Sequence, residues 1–277
     1  MPLLSIVVPT FNRSDVIKRA INSVLQQDFT DYEIIVVDDG STDNTQEVLE
    51  AYETRIKTVF QEHKGVSAAR NLGIALSRGE LVAFLDSDDE WLPCKLSKQV
   101  ALWNARKTPF VCHTDEIWMR GCHTIPQKAI HRKQGGRFFE RALERCLISP
   151  SSAMINASLL EELGGFDESL PAAEDYDLWL RVTALYYVDF VPEPLVVKHG
   201  GRGDQLSVTT VAIDRYRIQA IVKLLSNQDL PERYRQAALK ELIRKCRIVA
   251  NGARKRGREE EALYYDRLAE SYQEYIY

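Results

Sequence analysis

The sequence predicts an α/β protein: a mostly parallel sheet flanked by helices, followed by a helical C-terminal extension. Three observations carry this. Short apolar runs alternate with amphipathic stretches from about residue 4 to 104, the βαβ pattern of a parallel sheet. Strand-like pieces and short helices mix between 109 and 210, completing the sheet. From about 211 to 276 the periodicity is helical, with breaks at Pro231 and Gly257. The expected division is 1–108, 109–210 and 211–277.

The elements follow in order. Leu4-Ser5-Ile6-Val7-Val8 is apolar and ends at Pro9, as a buried parallel strand reads. A helix follows, with Ser14 a fitting N-cap and Val16, Ile17, Ala20, Ile21, Val24 and Leu25 on one face. Residues 33–37 form a second strand, and Ser41 or Thr42 caps a helix running to about Tyr52. A strand over 56–60, a helix over 66–77 and a strand over 80–85 come next; Pro93 opens a helix running to about Asn104. Further on, strands are expected at 110–113, 116–119, 153–156 and 195–198, with helices at 138–147 and 175–186.

At 277 residues, 45% hydrophobic and 27% charged, the chain can bury a large core. A net charge of -4 gives no general attraction for nucleic acid. The first residues lack the basic flank and cleavage site of a signal peptide, and no apolar run approaches the roughly 20 residues of a membrane span, so a cytoplasmic protein is expected. The five cysteines are scattered and read as reduced thiols. Zinc between Cys112-His113 and Cys122-His123 is disfavoured, because adjacent strand residues point to opposite faces.

Polar clusters stand at the strand ends: Thr10-Phe11-Asn12-Arg13, Asp38-Asp39-Gly40-Ser41 and Asp86-Ser87-Asp88-Asp89. In such sheets ligands bind beyond the carboxyl ends of the strands. Three carboxylates within four residues repel one another, and hard oxygen donors at that density suit Mn²⁺ or Mg²⁺ together with substrate phosphates. A solvated acidic turn is the plainer reading of the same run. Asp38 can accept from a nucleobase N–H or a ribose hydroxyl, or the Asp-Gly-Ser-Thr loop can simply cap a helix. Glu174-Asp175 at a helix start likewise reads as a capping pair on its own.

Taken together, the ordered motifs are more specific. Pro9-Thr10-Phe11-Asn12, Val36 to Asp43, Gly65 to Gly73, Phe84 to Asp89, Gly164 to Glu168, Glu174 to Arg181, and His199 resemble the family 2 inverting glycosyltransferases, which have the GT-A fold. The likeness covers about residues 3–207 and omits the helical tail. It implies a metal-dependent transfer of sugar from a nucleotide diphosphate sugar, with UDP-sugar the expected donor, to a glycan or lipid-linked acceptor in polysaccharide assembly.

The resemblance also implies roles. Pro9 and Thr10 line the uridine pocket, with Phe11 and Asp39 nearby; Asp38 bonds the base, and Arg70 approaches base or diphosphate. Asp86 lies near ribose and metal, Asp88 is the direct ligand of Mn²⁺ or Mg²⁺, His199 completes the metal or diphosphate site, and Asp89 is an open further ligand. Asp175 is the general base, with Glu174 beside it. Asp177, Trp179 and Arg181 orient the helix, Trp179 reading equally as core. Arg202, in a glycine-rich loop, could close over phosphates.

Other classes fit less well. A sugar-phosphate nucleotidyltransferase would want a glycine-rich loop with a basic residue after the first strand, which Pro9 to Arg13 does not offer. A dinucleotide dehydrogenase would want Gly-x-Gly-x-x-Gly after a strand. A non-catalytic nucleotide-sugar-binding module of the same fold would have lost the acids present here. In the tail, Lys240, Arg244, Lys245, Arg247, Arg254, Lys255, Arg256 and Arg258 read as a solvated face or as peripheral contact with anionic lipid. Tyr264, Tyr265, Tyr272, Tyr275 and Tyr277 offer a packing or homodimer face.

Overall fold

The computed structural model describes residues 1–106, 109–201, 203 and 213–276. Strands β1 (Leu4–Thr10), β2 (Tyr32–Asp38), β3 (Lys57–Phe60) and β4 (Leu81–Phe84) run parallel in the order β3-β2-β1-β4. Beyond β4 the same sheet takes up β5 (Glu90–Trp91), β6 (Val111–Arg120), β7 (His123–Ile125), β8 (Met154–Asn156) and β9 (Asp189–Gly200), continuing β4-β8-β6-β9-β5 with β7 on β6. β8 is antiparallel to β4 and β6, and β9 is parallel to β6. One mixed sheet therefore spans both expected halves.

The helices are α1 (Ile17–Leu25), α2 (Thr45–Glu50), α3 (Val66–Ala75), α4 (Lys95–Arg106), α5 (Phe139–Glu144), α6 (Ala157–Glu162), α7 (Glu174–Leu185), α8 (Asp214–Leu225), α9 (Glu232–Arg254) and α10 (Glu259–Gln273). The sheet's two faces bury different sets. Leu4, Ile6, Val8, Leu81 and Ala83 pack with Ile17, Ile21 and Leu96 on one side. Val7, Val82 and Phe84 pack with Tyr176, Trp179 and the tail on the other. This alternation is the period-two geometry of strands covered on both faces, which is why β1 reads as an apolar run broken only by Ser5 before Pro9. Gly73 lets α3 sit close to β1, since a Cβ there would lie 2.3 Å from Val7 Cγ1.

Several local expectations change. Ser14 does not cap α1, which begins after Val16; the Ser14 hydroxyl donates instead to Asp43 Oδ2 at 2.8 Å. Neither Ser41 nor Thr42 caps α2, which starts after Asn44: Ser41 Oγ accepts from the Asn12 N–H and the Thr42 N–H donates to Asn12 Oδ1. Loop-to-loop bonds outcompete the local caps there. The pieces at 110–113 and 116–119 are one strand, β6, whose pairing with β9 shifts register around Asp115. β9 starts earlier than the 195–198 run suggests, because Pro192 and Pro194 fall on an exposed stretch that β5 leaves uncovered.

The tail breaks fall where Pro231 and Gly257 predict, the latter at φ +71. Ile218, Leu224, Leu239, Leu242, Cys246 and Ala250 join the core that holds Tyr176. Tyr265 and Tyr272 pack inward and Tyr264 and Tyr275 stay exposed, while Tyr277 lies outside the described residues. Lys245, read as part of an exposed basic belt, is 1% exposed and ion-paired to Asp214 and Glu241. Helical periodicity alone assigned it to the wrong face. Cys112 and His113 are buried at the start of β6, whereas Cys122 and His123 are exposed past its far end. Among the described residues, no helix is long and apolar enough to cross a membrane.

Candidate active site

β1, β2 and β4 end on one edge of the sheet, so the parallel register brings Thr10 level with Asp38 and sets Asp86 just beyond β4. Pro9 and Thr10 are buried on β1. Phe11 is 37% exposed and stacks on the His63 ring at 4.2 Å between centroids. Asp38 is fully buried; its Oδ1 accepts from the Ser41 N–H at 2.9 Å. Asp38 Oδ2 and Thr10 Oγ1 are buried without a hydrogen-bond partner among the described residues. Buried polar atoms are normally satisfied, so an unsatisfied pair at a strand edge points to a ligand.

Asp39 does different work. Its carboxylate accepts from Gln61 Nε2, the Lys64 N–H and the Gly65 N–H at 2.6, 2.8 and 2.8 Å, and lies 2.8 Å from His63 Nδ1. It fixes the turn into α3, where Gly65 sits at φ +95. That turn aims Arg70 across the site. Arg70 Nη2 donates to Asp86 Oδ1 at 2.7 Å and Nη1 to Glu174 Oε1 at 2.6 Å, with the guanidinium 5.0 Å over the Phe166 ring. Burial works against each ion, but the pairing holds Arg70 above its ordinary pKa and Asp86 below the usual carboxylate range. Glu174 is pushed up by burial, which outweighs Arg70.

Asp88 is partly exposed, and its carbonyl accepts from Arg19 Nη2 at 2.6 Å. Asp89 is 2% exposed, accepts from the Ser151 hydroxyl at 2.7 Å and lies 3.5 Å from Lys198 Nζ. Burial, with Asp86 and Asp88 adding to it, raises Asp89 to about 7 against the pull of Lys198. His199 Nε2 is 3.1 Å from Glu90 Oε1. Arg202 lies outside the described residues.

Across the site, Ala173 adopts φ +62 immediately before Glu174, an uncommon conformation for a residue with a side chain. Asp175 is partly exposed; its Oδ1 accepts from the Tyr176 N–H at 2.7 Å and its Oδ2 from the Cys146 thiol at 3.3 Å. Burial and the Asp175 charge push that thiol well above its ordinary pKa, so it remains a donor. Asp177 and Arg181 form an ion pair at 2.6 Å, Arg181 also capping the Leu163 and Gly165 carbonyls, and Trp179 is core at 2% exposure.

The motifs miss the segment Cys146–Ser151, which ties the acids together. Cys146 donates to Asp175, Ser149 to Glu116, and Ser151 to Asp89 while accepting from the Asp86 N–H. Glu116 in turn binds Lys133 at 2.7 Å. Nothing in the spacing of Ser149 or Ser151 marks them, since their partners are distant in sequence.

By residue type the acidic run suits a hard divalent cation. Asp86, Asp88 and Asp89 offer hard oxygens within one turn, two of them partly exposed at the sheet edge. Among the described residues no three His, Cys, Asp or Glu side chains converge tightly enough to hold an ion alone. Mg²⁺ commonly uses one or two carboxylates with water and substrate phosphates, so a cluster of three protein ligands is not a requirement for it.

Similarity to known proteins agrees with this architecture. The chain is 34% identical over 186 residues to a UDP-Glc:alpha-D-GlcNAc-diphosphoundecaprenol beta-1,3-glucosyltransferase of Escherichia coli, covering 65% of this chain and 69% of that protein. It is 33% identical over 199 residues to an uncharacterized glycosyltransferase of Rickettsia typhi, covering 67% of this chain but 61% of the relative, and it spans only 35% of a longer one from Rickettsia felis. The fold superimposes on S. aureus TarS 1–349 in complex with UDP-GlcNAc at TM-score 0.71, 20% identity, covering 99% and 92% of the two chains. It also matches the mannosyltransferase PcManGT of Pyrobaculum calidifontis, in complex with GDP-Man and Mn²⁺, at TM-score 0.65, 19% identity and 98% and 84% coverage. The fold is thus GT-A. A glycosyltransferase-like family 2 model matches residues 137–207, and the glycosyl transferase family 2 model matches residues 5–164, more than half of the sequence. This chain belongs to glycosyl transferase family 2.

Proposed function

We propose that this protein is an inverting glycosyltransferase that takes sugar from a UDP-sugar and gives it to a hydroxyl of a glycan or lipid-linked acceptor in cell-surface polysaccharide assembly. The single observation that supports it most is the Arg70 bridge from Asp86 to Glu174, which joins the acidic strand edge to the start of α7. In this reading Thr10 and Asp38 hold the uridine, the unsatisfied Asp38 Oδ2 accepting from the base N–H. Asp88, supported by Asp86 and His199, is the group that would hold Mn²⁺ or Mg²⁺. Such an ion supplies charge neutralisation for the departing diphosphate.

Asp175 accepts the proton of the acceptor hydroxyl as that oxygen attacks the anomeric carbon. The Cys146 thiol and the Tyr176 N–H hold the carboxylate in orientation. Attack from the face opposite the diphosphate inverts configuration in one displacement and needs no covalent enzyme intermediate. The division at about 108 and 210 is proposed as donor half, acceptor half and extension. We also propose that the exposed face of α9 meets the inner membrane surface, where a lipid-linked acceptor would reside.

A thermal-shift panel of nucleotide sugars, with and without Mn²⁺, tests the donor site, because ligand stabilisation grows with the logarithm of concentration over Kd. UDP-sugars should raise Tm more than GDP-sugars, and more with Mn²⁺ present. No shift with any nucleotide sugar would overturn the reading.

A further inference from the structure

Lys198 has no part in the scheme above, yet it stands inside the acidic edge. It lies on β9, opposite Trp118 of β6, and its Nζ is 3.5 Å from Asp89 Oδ2. The neighbouring cations are otherwise engaged: Arg70 by Asp86 and Glu174, Lys133 by Glu116, and Arg19 by the Asp88 carbonyl. Asp89, Glu116, Asp86 and Asp88 all lie close enough to act on its ammonium, Asp89 being the one in ion-pair contact. Its side chain is still 30% exposed, so it has room to withdraw.

A lysine ammonium and a divalent cation cannot both sit in one field of carboxylates without repelling each other. The partly exposed side chain lets the lysine move, whereas Asp89, at 3% side-chain exposure and bonded to Ser151, stays. We propose that Lys198 is the resident counter-ion of the Asp86–Asp89 cluster and competes with the divalent cation for it, so that metal loading requires Lys198 to leave Asp89. The proposal rests on the donor-site reading above and assigns Lys198 a positioning role within it. It makes the metal-free cluster stable as a folded structure and keeps metal affinity low until the donor's phosphates add their own oxygens.

The test is Mn²⁺ binding itself, read from the free-ion EPR signal on wild type, Lys198→Met, Lys198→Gln and Lys198→Arg. Removing the charge should tighten Mn²⁺ binding by at least about tenfold in both neutral variants, a partial effect expected for a pair of this separation that solvent screens. Lys198→Arg should stay within about threefold of wild type. Metal-free Lys198→Met should also melt lower, and Mn²⁺ should raise its Tm by more than it raises that of wild type. Should Lys198→Met fail to fold without metal, Lys198→Gln and recovery of folded protein with Mn²⁺ carry the same decision. Equal or weaker Mn²⁺ binding in the neutral variants, or no Mn²⁺ binding by any form, would overturn the competition. UDP titrated into the same wild-type sample separates this outcome from failure of the donor site, since UDP binding without any Lys198 effect leaves that site standing.

Discussion

Arg70 Nη1 donates to Glu174 Oε1 at 2.6 Å, with the two side chains only 4% and 8% exposed. The same guanidinium holds Asp86, so one cation stands between a buried carboxylate at the start of α7 and a partly exposed one beyond β4. Removing one partner of a buried pair strands the other, which is far costlier than never having built the pair. Arg70→Ala should therefore destabilise the protein by about 3–5 kcal/mol, measured by urea unfolding. Arg70→Lys should also lose stability, because a single ammonium cannot make the two-pronged contact. Nucleotide binding should weaken in both, since Asp86 and α7 lose their common anchor.

Asp175→Asn should leave UDP affinity within a few-fold of wild type while sugar transfer falls by at least about a hundredfold, the scale of losing general-base assistance. The amide is nearly isosteric and keeps an acceptor for the Tyr176 N–H, so folding is a poor explanation for a loss. Isothermal titration with UDP, alongside product formation, makes the comparison. Transfer persisting near the wild-type rate would sink the base assignment.

Glu116 gives a pH signature that does not depend on turnover. Burial opposes its charge, but Lys133, Lys198 and Ser149 bring its pKa down to about 2, from 4.5. A carboxylate whose folded pKa is depressed contributes stability that is present above the unfolded value and disappears as pH falls through the folded one. The window is therefore about pH 5 down to pH 2. Glu116→Gln leaves Lys133 buried beside a neutral amide and should cost about 3–5 kcal/mol at pH 7. Near pH 2 the difference from wild type should shrink towards the cost of lost packing alone. Urea midpoints at several pH values across the window read it directly; a pH-independent difference would mean that the ion pair is not its source.

The parallel half of the fold was legible because each buried strand is a continuous apolar run ended by a polar cluster, as at Val7-Val8-Pro9 and Val36-Val37-Asp38. The shared polar edge followed, since consecutive βαβ units must bring Thr10, Asp38 and Asp86 to the same side. The start of β9 was hidden because two prolines interrupt its pattern, tolerated where β5 does not reach and where the pairing with β6 shifts register. Ser14 and Ser41 show the limit of capping rules, as tertiary partners Asp43 and Asn12 take bonds that local reading would give to a helix. Ser149, Ser151 and Lys198 were invisible for the same reason: what makes them part of the site is a partner more than thirty residues away.

The tail carries the last prediction. Along α9 and at its C-cap Lys255, the residues Lys240, Arg244, Arg247, Ile248, Asn251 and Lys255 recur at helical spacing and are all exposed, while Lys245 turns inward and Arg244 is held by Glu241. This outward stripe is narrower than the basic belt read from sequence, and part of the belt's charge is taken up by neighbouring carboxylates, as Arg254 is by Asp266. Basic residues near an anionic leaflet contribute about 1 kcal/mol each and are screened within a Debye length. Triple charge reversal, Lys240→Glu, Arg247→Glu and Lys255→Glu, should therefore reduce co-sedimentation with phosphatidylserine vesicles at least about tenfold at low salt. It should leave Tm and UDP binding unchanged, because none of the three enters the core or the donor site. Wild type should lose its vesicle binding as salt rises. Equal sedimentation of wild type and variant would remove α9 as a membrane face.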